Sequence, residues 1–305
     1  MNDVTAIIVI KDNPPHLWEA IQSIENFATE IIVGTVTPDP AIVTRLKTNN
    51  KVRIIPLPDT IPYADMVKED LKKQARGKYI LYLDPDEIFP KEAIKTIEKK
   101  ISDFAFFNFP RKNIIFNRWI KYSRWWPDYQ LRFFKKDMVV WPKKIHPEPI
   151  TRGVGYMLPI DDRFAIYHYN YDNIDQYFEK ANRYAKSEAH SYIDKKINLT
   201  LPESVKKAVS EFISRFFACE GYHDGMHGFT LSTLQMFYYL LVYFYYWEAK
   251  KYEKVDDKVL IKSARDYFKT GAAETGFWII QKRLTGKLEK WKIKIVVKLL
   301  KVFKL

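Results

Sequence analysis

Cysteine is nearly absent from this chain: Cys219 is the only one in 305 residues. A single thiol excludes an intrachain disulfide framework and fits a reducing compartment. The glycine loops that cradle phosphates are missing too. Neither Gly-x-x-x-x-Gly-Lys-Ser/Thr nor Gly-x-Gly-x-x-Gly occurs, which removes the phosphate loop and the dinucleotide fingerprint from consideration. No internal repeat or low-complexity tract is present. The opening residues, Met1-Asn-Asp-Val-Thr, lack the basic-then-apolar layout of a signal peptide, so a cytoplasmic protein is expected. Long apolar runs are scarce. The best of them, 231–247, is 17 residues long and interrupted at its start by Ser232, Thr233 and Gln235. A packed or interface-lying helix is expected there rather than a span, since Tyr and Trp favour interfaces. Acidic residues are outnumbered 37 to 50, and the net charge of +13 favours anionic partners such as phosphates or acidic lipid.

What is present has the composition of a folded protein, 47% apolar and 29% charged. The length suits one large domain or one domain with an appendage. The first hundred residues alternate strand-like and helix-like runs. Apolar, β-branched stretches at 4–10, 30–36 and 52–57 read as strands. Helical spacing appears at 14–27, 40–47 and 64–75, the last closed by Gly77 as a C-cap. This rhythm predicts an α/β fold with a mainly parallel sheet and right-handed crossovers.

A fourth strand is the informative one. Lys78-Tyr-Ile-Leu-Tyr-Leu ends in Asp84-Pro85-Asp86-Glu87, three carboxylates within four positions. Pro85 denies the chain another ladder hydrogen bond, so the strand must stop there. In open α/β sheets ligands bind beyond the carboxyl ends of the strands. Clustered carboxylates repel one another unless a cation neutralises them, and hard oxygen ligands suit Mg²⁺ or Mn²⁺. The competing reading is a helix start, with the acids placed on the dipole of a helix that begins near Lys91.

After residue 100 the pattern changes. Residues 104–110 alternate as a strand does, and 163–169 form another strand with His168 near its end. Between them, 111–150 are crowded with Trp, Arg, Pro and Lys and read as an aromatic-lined loop system rather than core. From Asn173 onward only helices are expected, among them 174–193 and 201–219. The division is therefore an α/β domain at 1–172 and a helical region at 173–305. In the last segment Leu288, Trp291, Ile295, Leu299 and Val302 recur at three- and four-residue steps. Lys287, Lys290, Lys294, Lys298 and Lys301 follow the same steps, each one residue ahead of an apolar one. A basic amphipathic helix of this kind lies on anionic membrane surfaces, so peripheral attachment to the inner face of a membrane is expected. The competing reading packs this helix on the protein and leaves its lysines in water.

Six pieces then stand in order along the chain. Lys11-Asp12-Asn13 follows the first strand, and Gly77 through Glu87 forms the acidic strand end. Trp126-Pro-Asp128-Tyr-Gln130-Leu-Arg132-Phe-Phe and Ile145-His146-Pro-Glu148 come next. His168-Tyr169 with Lys180 and Arg183-Tyr184, then Gly221-x-x-Asp224-Gly225-x-x-Gly228-Phe229, complete the set. Together they resemble the inverting family 2 glycosyltransferases. The branch they look most like is the lipopolysaccharide-core β-glycosyltransferases, with an Asp-x-Asp-Glu strand end. The resemblance spans residues 4–250 and implies a GT-A-like, Rossmann-type, mainly parallel sheet flanked by helices, followed by an all-helical C-terminal region. Two positions depart from the pattern. The second strand runs Ile31-Ile-Val-Gly34-Thr-Val where an Asp that contacts the nucleobase is usual, and Lys68-Glu69 replaces an Arg-Asn pair.

The resemblance implies metal-dependent transfer from a nucleotide-diphosphate sugar to a glycan or lipid-linked acceptor in cell-surface polysaccharide assembly. It assigns Asp86 to the metal and Asp84 to the metal or the ribose, with His146 or His168 completing the shell. Lys68 and Arg132 are candidates to meet phosphate, Arg132 in bidentate fashion, and Lys11 joins the donor-binding set. Inversion needs a base against the acceptor hydroxyl. Glu148 and Asp128 are the carboxylates for that role, both in the Trp-rich region, where partial burial would raise a pKa. Cys219-x-x-x-His223-x-x-x-His227 has the residue types of a zinc site, but Gly221 and Gly225 interrupt any helix carrying it. Two rival classes remain. A nucleotidyltransferase of similar fold needs a basic, Gly-rich loop after the first strand, and Lys11-Asp-Asn-Pro-Pro is not one. A basic membrane- or nucleic-acid-binding protein explains the charge but gives no reason for carboxylates at a strand end, and no nucleic-acid partner is expected.

Overall fold

The computed structural model describes residues 3–61, 64–143 and 148–302. The chain divides into two compact units, Met1–Ile114 with Trp126–Asn170, and Ile115–Trp125 with Tyr171–Leu305. The first holds the main sheet. The second is mainly helical, and residues 115–125 group with it although they precede the last strands of the first.

In the first unit β1 (Val4–Lys11), β2 (Glu30–Val36), β3 (Val52–Pro56) and β4 (Tyr79–Tyr82) alternate with α1 (Leu17–Ile24), α2 (Pro40–Leu46) and α3 (Asp65–Gln74). After β5 (Glu87–Ile88) and α4 (Lys91–Lys100) come β6 (Phe106–Phe109) and β7 (Arg111–Ile115). The short β8 (Arg118–Trp119) belongs to the second unit. The chain returns through β9 (Gln130–Lys135), β10 (Val139–Val140), β11 (Ile150–Thr151), β12 (Gly155–Met157) and β13 (Ile166–Tyr171). The main sheet is ordered β12-β6-β9-β4-β1-β2-β3. Strands β1 to β4 are parallel, and β9 is inserted antiparallel between β4 and β6. The expected α/β class with a mainly parallel, helix-flanked sheet and a helical C-terminal region is the observed one.

Why helices cover both faces follows from the order. α1 and α2 carry the chain outward from β1 to β3, and α3 carries it back past β1 to β4. A right-handed crossover that reverses direction must lie on the opposite face. The burial pattern agrees. Val4, Ala6, Ile8 and Ile10 of β1 pack with Leu17 and Ile24 of α1, while Ile7 packs with Val67 and Leu71 of α3. Strands covered on both sides read as continuous apolar runs, which is why β1 and β2 are plain in the sequence.

Three expectations are corrected. Residues 111–150 are not a loop system, because β9 runs through the middle of the sheet with Phe133 and Phe134 fully buried. Arg132, Phe133 and Phe134 are buried in succession, so both faces are covered and no polar alternation marks the strand. Gly77 does not cap α3, which ends at Gln74 with Ala75 already extended. It lies so close to β1 that a Cβ would stand 2.7 Å from the Thr5 nitrogen. Nor do the acids begin a helix: α4 starts at Lys91 behind Pro90, and residues 84–87 turn into β5 instead.

The second unit contains α5 (Ile174–Asp194), α6 (Leu201–Ile213), α7 (Met226–Ala249), α8 (Asp257–Gln281) and α9 (Lys287–Val302). Thr200 caps the start of α6, its hydroxyl donating to Glu203 at 2.6 Å and accepting from the Glu203 nitrogen at 3.4 Å. The aromatic α7 is committed to α5: Tyr243 and Tyr246 pack on Ala189, and the Tyr238 hydroxyl donates to Glu188 at 2.6 Å. Among the described residues no helix is long and apolar enough to cross a membrane. The late Gly-Asp-Gly motif builds a backbone junction. A Cβ on Gly228 would overlap the Gly221 carbonyl at 1.8 Å, and the buried Asp224 accepts from the nitrogens of Lys121 and Tyr122 at 3.2 and 2.8 Å. His227 bonds the Phe116 carbonyl at 3.2 Å through Nε2, and the His223 ring lies 4.9 Å from that of Tyr122.

Candidate functional site

The strand order of the first unit reverses between β1 and β4, the position where open α/β sheets leave a crevice for ligands. β1 ends there in Lys11, which is exposed, and β4 ends at Tyr82 with Leu83 and Asp84 directly after it. The turn after β4 is closed on itself. The Glu87 nitrogen donates to the Asp84 carbonyl at 3.0 Å, and the Asp84 nitrogen to Glu87 Oε2 at 3.2 Å. The Tyr169 nitrogen donates to the Asp86 carbonyl at 2.9 Å and ties the turn to β13.

Glu87 is completely buried, and a carboxylate at such a position needs a cation. Arg132 supplies it from β9. Its Nε donates to Oε2 at 2.8 Å and its Nη2 to Oε1 at 2.6 Å, a forked pair, while Nη2 also reaches Asp84 Oδ2 at 2.6 Å. Arg111 stands at 3.4 Å from Glu87 Oε1 as a second cation. Burial works against an ionised Asp84, but the charges of Arg132 and Lys68, then His168 and Arg111, outweigh it and hold its carboxyl well below the ordinary range. Arg132 was expected at a phosphate. Its fork is instead engaged by Glu87 and Asp84, and it is the internal cation of the turn.

Asp86 and His168 are arranged differently. His168 Nε2 lies 3.7 Å from Asp86 Oδ2, and its Nδ1 lies 2.7 Å from Asn113 Oδ1. The orientation of Asn113 is set by its other end, where Nδ2 donates to Asp128 Oδ2 at 2.9 Å. A carboxylate only accepts, so the amide nitrogen faces Asp128 and the amide oxygen faces His168. His168 Nδ1 therefore carries a hydrogen. Its Nε2 faces the Asp86 carboxylate. Asn113 and Asp128 thus do for His168 what outer-shell groups do for ligating histidines.

Asp128 is committed to this support. Besides Asn113 it accepts from Arg111 Nε at 2.8 Å and Nη2 at 2.7 Å, and from Gln130 at 3.1 Å. Burial raises its pKa, but the Arg111 charge and these hydrogen bonds bring it below the ordinary value. The expectation that burial would raise it toward a base is reversed, since its acceptor sites are taken.

Lys68 is buried with its ammonium 2.8 Å from Asp65 Oδ1 and 4.9 Å from the Trp141 ring centre. Its neighbour Glu69 accepts from the Trp141 nitrogen at 2.8 Å, so the departure at Lys68-Glu69 ties α3 to the segment after β10. At Gly34 a Cβ would lie 2.8 Å from a methyl of Leu57 and 3.0 Å from one of Leu71. Glu148 is exposed. His146 lies outside the described residues. Sequence reasoning missed Arg111 and Asn113. Their signal was present as polar residues two apart on a strand, which place both side chains on one face.

Two donors do not make a complete metal shell, and among the described residues no group of three His, Cys, Asp or Glu side chains is placed to hold an ion. Mg²⁺ and its relatives are commonly held by one or two carboxylates while substrate phosphates supply the rest. Asp86 and His168 are two donors of the kinds such a site uses.

No sequence-family profile and no curated protein matches this chain. Solved structures resemble it loosely. The S. aureus TarS 1-349 structure in complex with UDP is 11% identical over 84% of this chain and 94% of that one, with a TM-score of 0.43. A longer TarS chain is 13% identical over 60% of this chain, with a TM-score of 0.40, and the match spans 39% of its length. HddC from Yersinia pseudotuberculosis is 9% identical over 57% of this chain and 96% of its own, with a TM-score of 0.37. Superpositions this loose assign no activity, and the site stands on its own residues.

Proposed function

We propose that this protein is an inverting glycosyltransferase that uses a nucleotide-diphosphate sugar and passes the sugar to a glycan or lipid-linked acceptor. The observation that carries the proposal is the pair formed by Asp86 and the oriented His168, 3.7 Å apart where the strand order reverses. Mg²⁺ or Mn²⁺ held by these two, with Asp84 beside them, would supply Lewis-acid neutralisation of a leaving diphosphate. Arg132 and Glu87 close the turn that carries Asp86. Lys68 adds positive charge close enough to depress the Asp84 pKa, and Lys11 at the end of β1 is the exposed cation of the donor set.

The base is assigned to Glu148, because Asp128 is engaged on both carboxylate oxygens. Glu148 takes the acceptor proton as the acceptor oxygen bonds the anomeric carbon, and the diphosphate departs from the opposite face. The test is a thermal-shift screen of nucleoside diphosphates with and without Mn²⁺. The expected result is a rise in midpoint that needs nucleotide and metal together and is lost in Asp86→Ala. An equal rise in that variant, or in the presence of EDTA, refutes the assignment.

A further inference from the structure

We propose that α9 is a docking surface for anionic lipid, lying along a membrane face with Leu288, Trp291 and Ile295 turned into it. This site is independent of the transferase reading. The three residues follow one another at i, i+3 and i+7 and so share one face of the helix. They are 71%, 63% and 38% exposed, although the helix is docked on the protein. Docking uses another face. Ile293 and Val297 close on Gly276 of α8, where a Cβ would stand 3.0 Å and 2.7 Å from their methyl groups. A single amphipathic stripe would have been consumed by that contact. α9 has two, and the outer one is left over.

The charge around that stripe selects the occupant. At 3.6 residues per turn, Lys287 and Lys298 flank the row on one side and Lys292 on the other, and all three are exposed. Across 257–302 twelve Lys and Arg residues face four Asp and Glu. A second copy docking by this face would set the same lysines against one another. An anionic lipid surface accepts them at its phosphates and takes the apolar row at the acyl boundary, where Trp is favoured. Because no described helix is long and apolar enough to cross, contact through α9 is along the surface. Each lysine near such a surface adds roughly fivefold to binding.

The experiment is cosedimentation of the full chain with phosphatidylcholine vesicles, with and without phosphatidylglycerol. Binding is expected only where the anionic lipid is present, and it should weaken as salt is raised. The variant L288S/W291S/I295S should lose binding by about tenfold or more, because the apolar row contributes the buried area. Its fold should persist, checked by circular dichroism and melting temperature, since these side chains are exposed. A second variant, K287Q/K292Q/K298Q, should reduce binding to anionic vesicles by a similar factor. Binding that survives both variants, or that is equal on neutral vesicles, overturns the proposal. So does a dimer in sedimentation velocity that the first variant dissolves, which would assign the face to a second copy.

Discussion

Asn113 carries little signal of its own, yet its two ends decide what His168 can do. Held by Asp128 on one side, it places a hydrogen on Nδ1 and leaves Nε2 toward Asp86. Asn113→Ala is expected to weaken Mn²⁺ binding in the presence of a nucleoside diphosphate by about 10–100-fold, the range for outer-shell losses. Isothermal titration of the metal reads this without any turnover. Arg132 has a structural consequence that its expected phosphate role did not have. Arg132→Met leaves the buried Glu87 without its forked partner and should lower stability by about 3–5 kcal/mol in urea unfolding. Adding Glu87→Gln should return part of that loss, because the uncompensated charge is removed. Asp84 and Asp86 stand out in the sequence as acids at a strand end, whereas Lys68 and Lys11 enter only through the resemblance. The partners of Arg132 could not be chosen there, since Glu87 lies 45 residues away on another strand.

At the scale of elements, the legible parts were those with one period along their length. β1, β2 and α5 were expected nearly where they lie. β9 was not, because buried faces on both sides and a central arginine erase the alternation that marks a strand. The junction of the second unit was legible as a motif but not as a contact. Asp224 accepts two backbone nitrogens from 121–122, and Gly221 and Gly228 meet backbone to backbone. Asp224→Ala strands two amides and is expected to cost about 1–3 kcal/mol. Gly228→Ala should be worse, since its neighbour is a carbonyl rather than a side chain that can move away. Denaturant midpoints of the two variants, compared with the wild type, test this order.

Across the whole molecule several carboxylates titrate low for the same reason. Burial raises the pKa of Glu30, Asp128 and Glu211, but basic side chains and hydrogen bonds more than offset it, and each ends below its ordinary value. A carboxyl depressed on folding contributes stability that is complete above its unfolded pKa and is lost as pH falls through the folded one. The melting temperature should therefore stay level from neutral pH down to about 5 and fall below that. Glu30→Gln should melt lower at neutral pH and lose less on acidification, since Glu30 holds Thr5, Arg53 and the Arg76 nitrogen. A melting temperature that rises on acidification would contradict this account.

The sequence by itself determined the α/β class, the acidic turn after the fourth strand and the helical C-terminal region. Those features are written in local periods and in residues adjacent along the chain. Only the tertiary structure decided which carboxylates were already neutralised, which one supports a histidine and which apolar face of α9 remains uncovered. Each of these depends on what lies opposite a side chain, and the order of strands that sets this is a property of the folded sheet. Asp84, Asp86, Glu87 and Asp128 are four like charges in the sequence. Arg132, Arg111 and Asn113, brought in from β9 and β7, are what make them unequal.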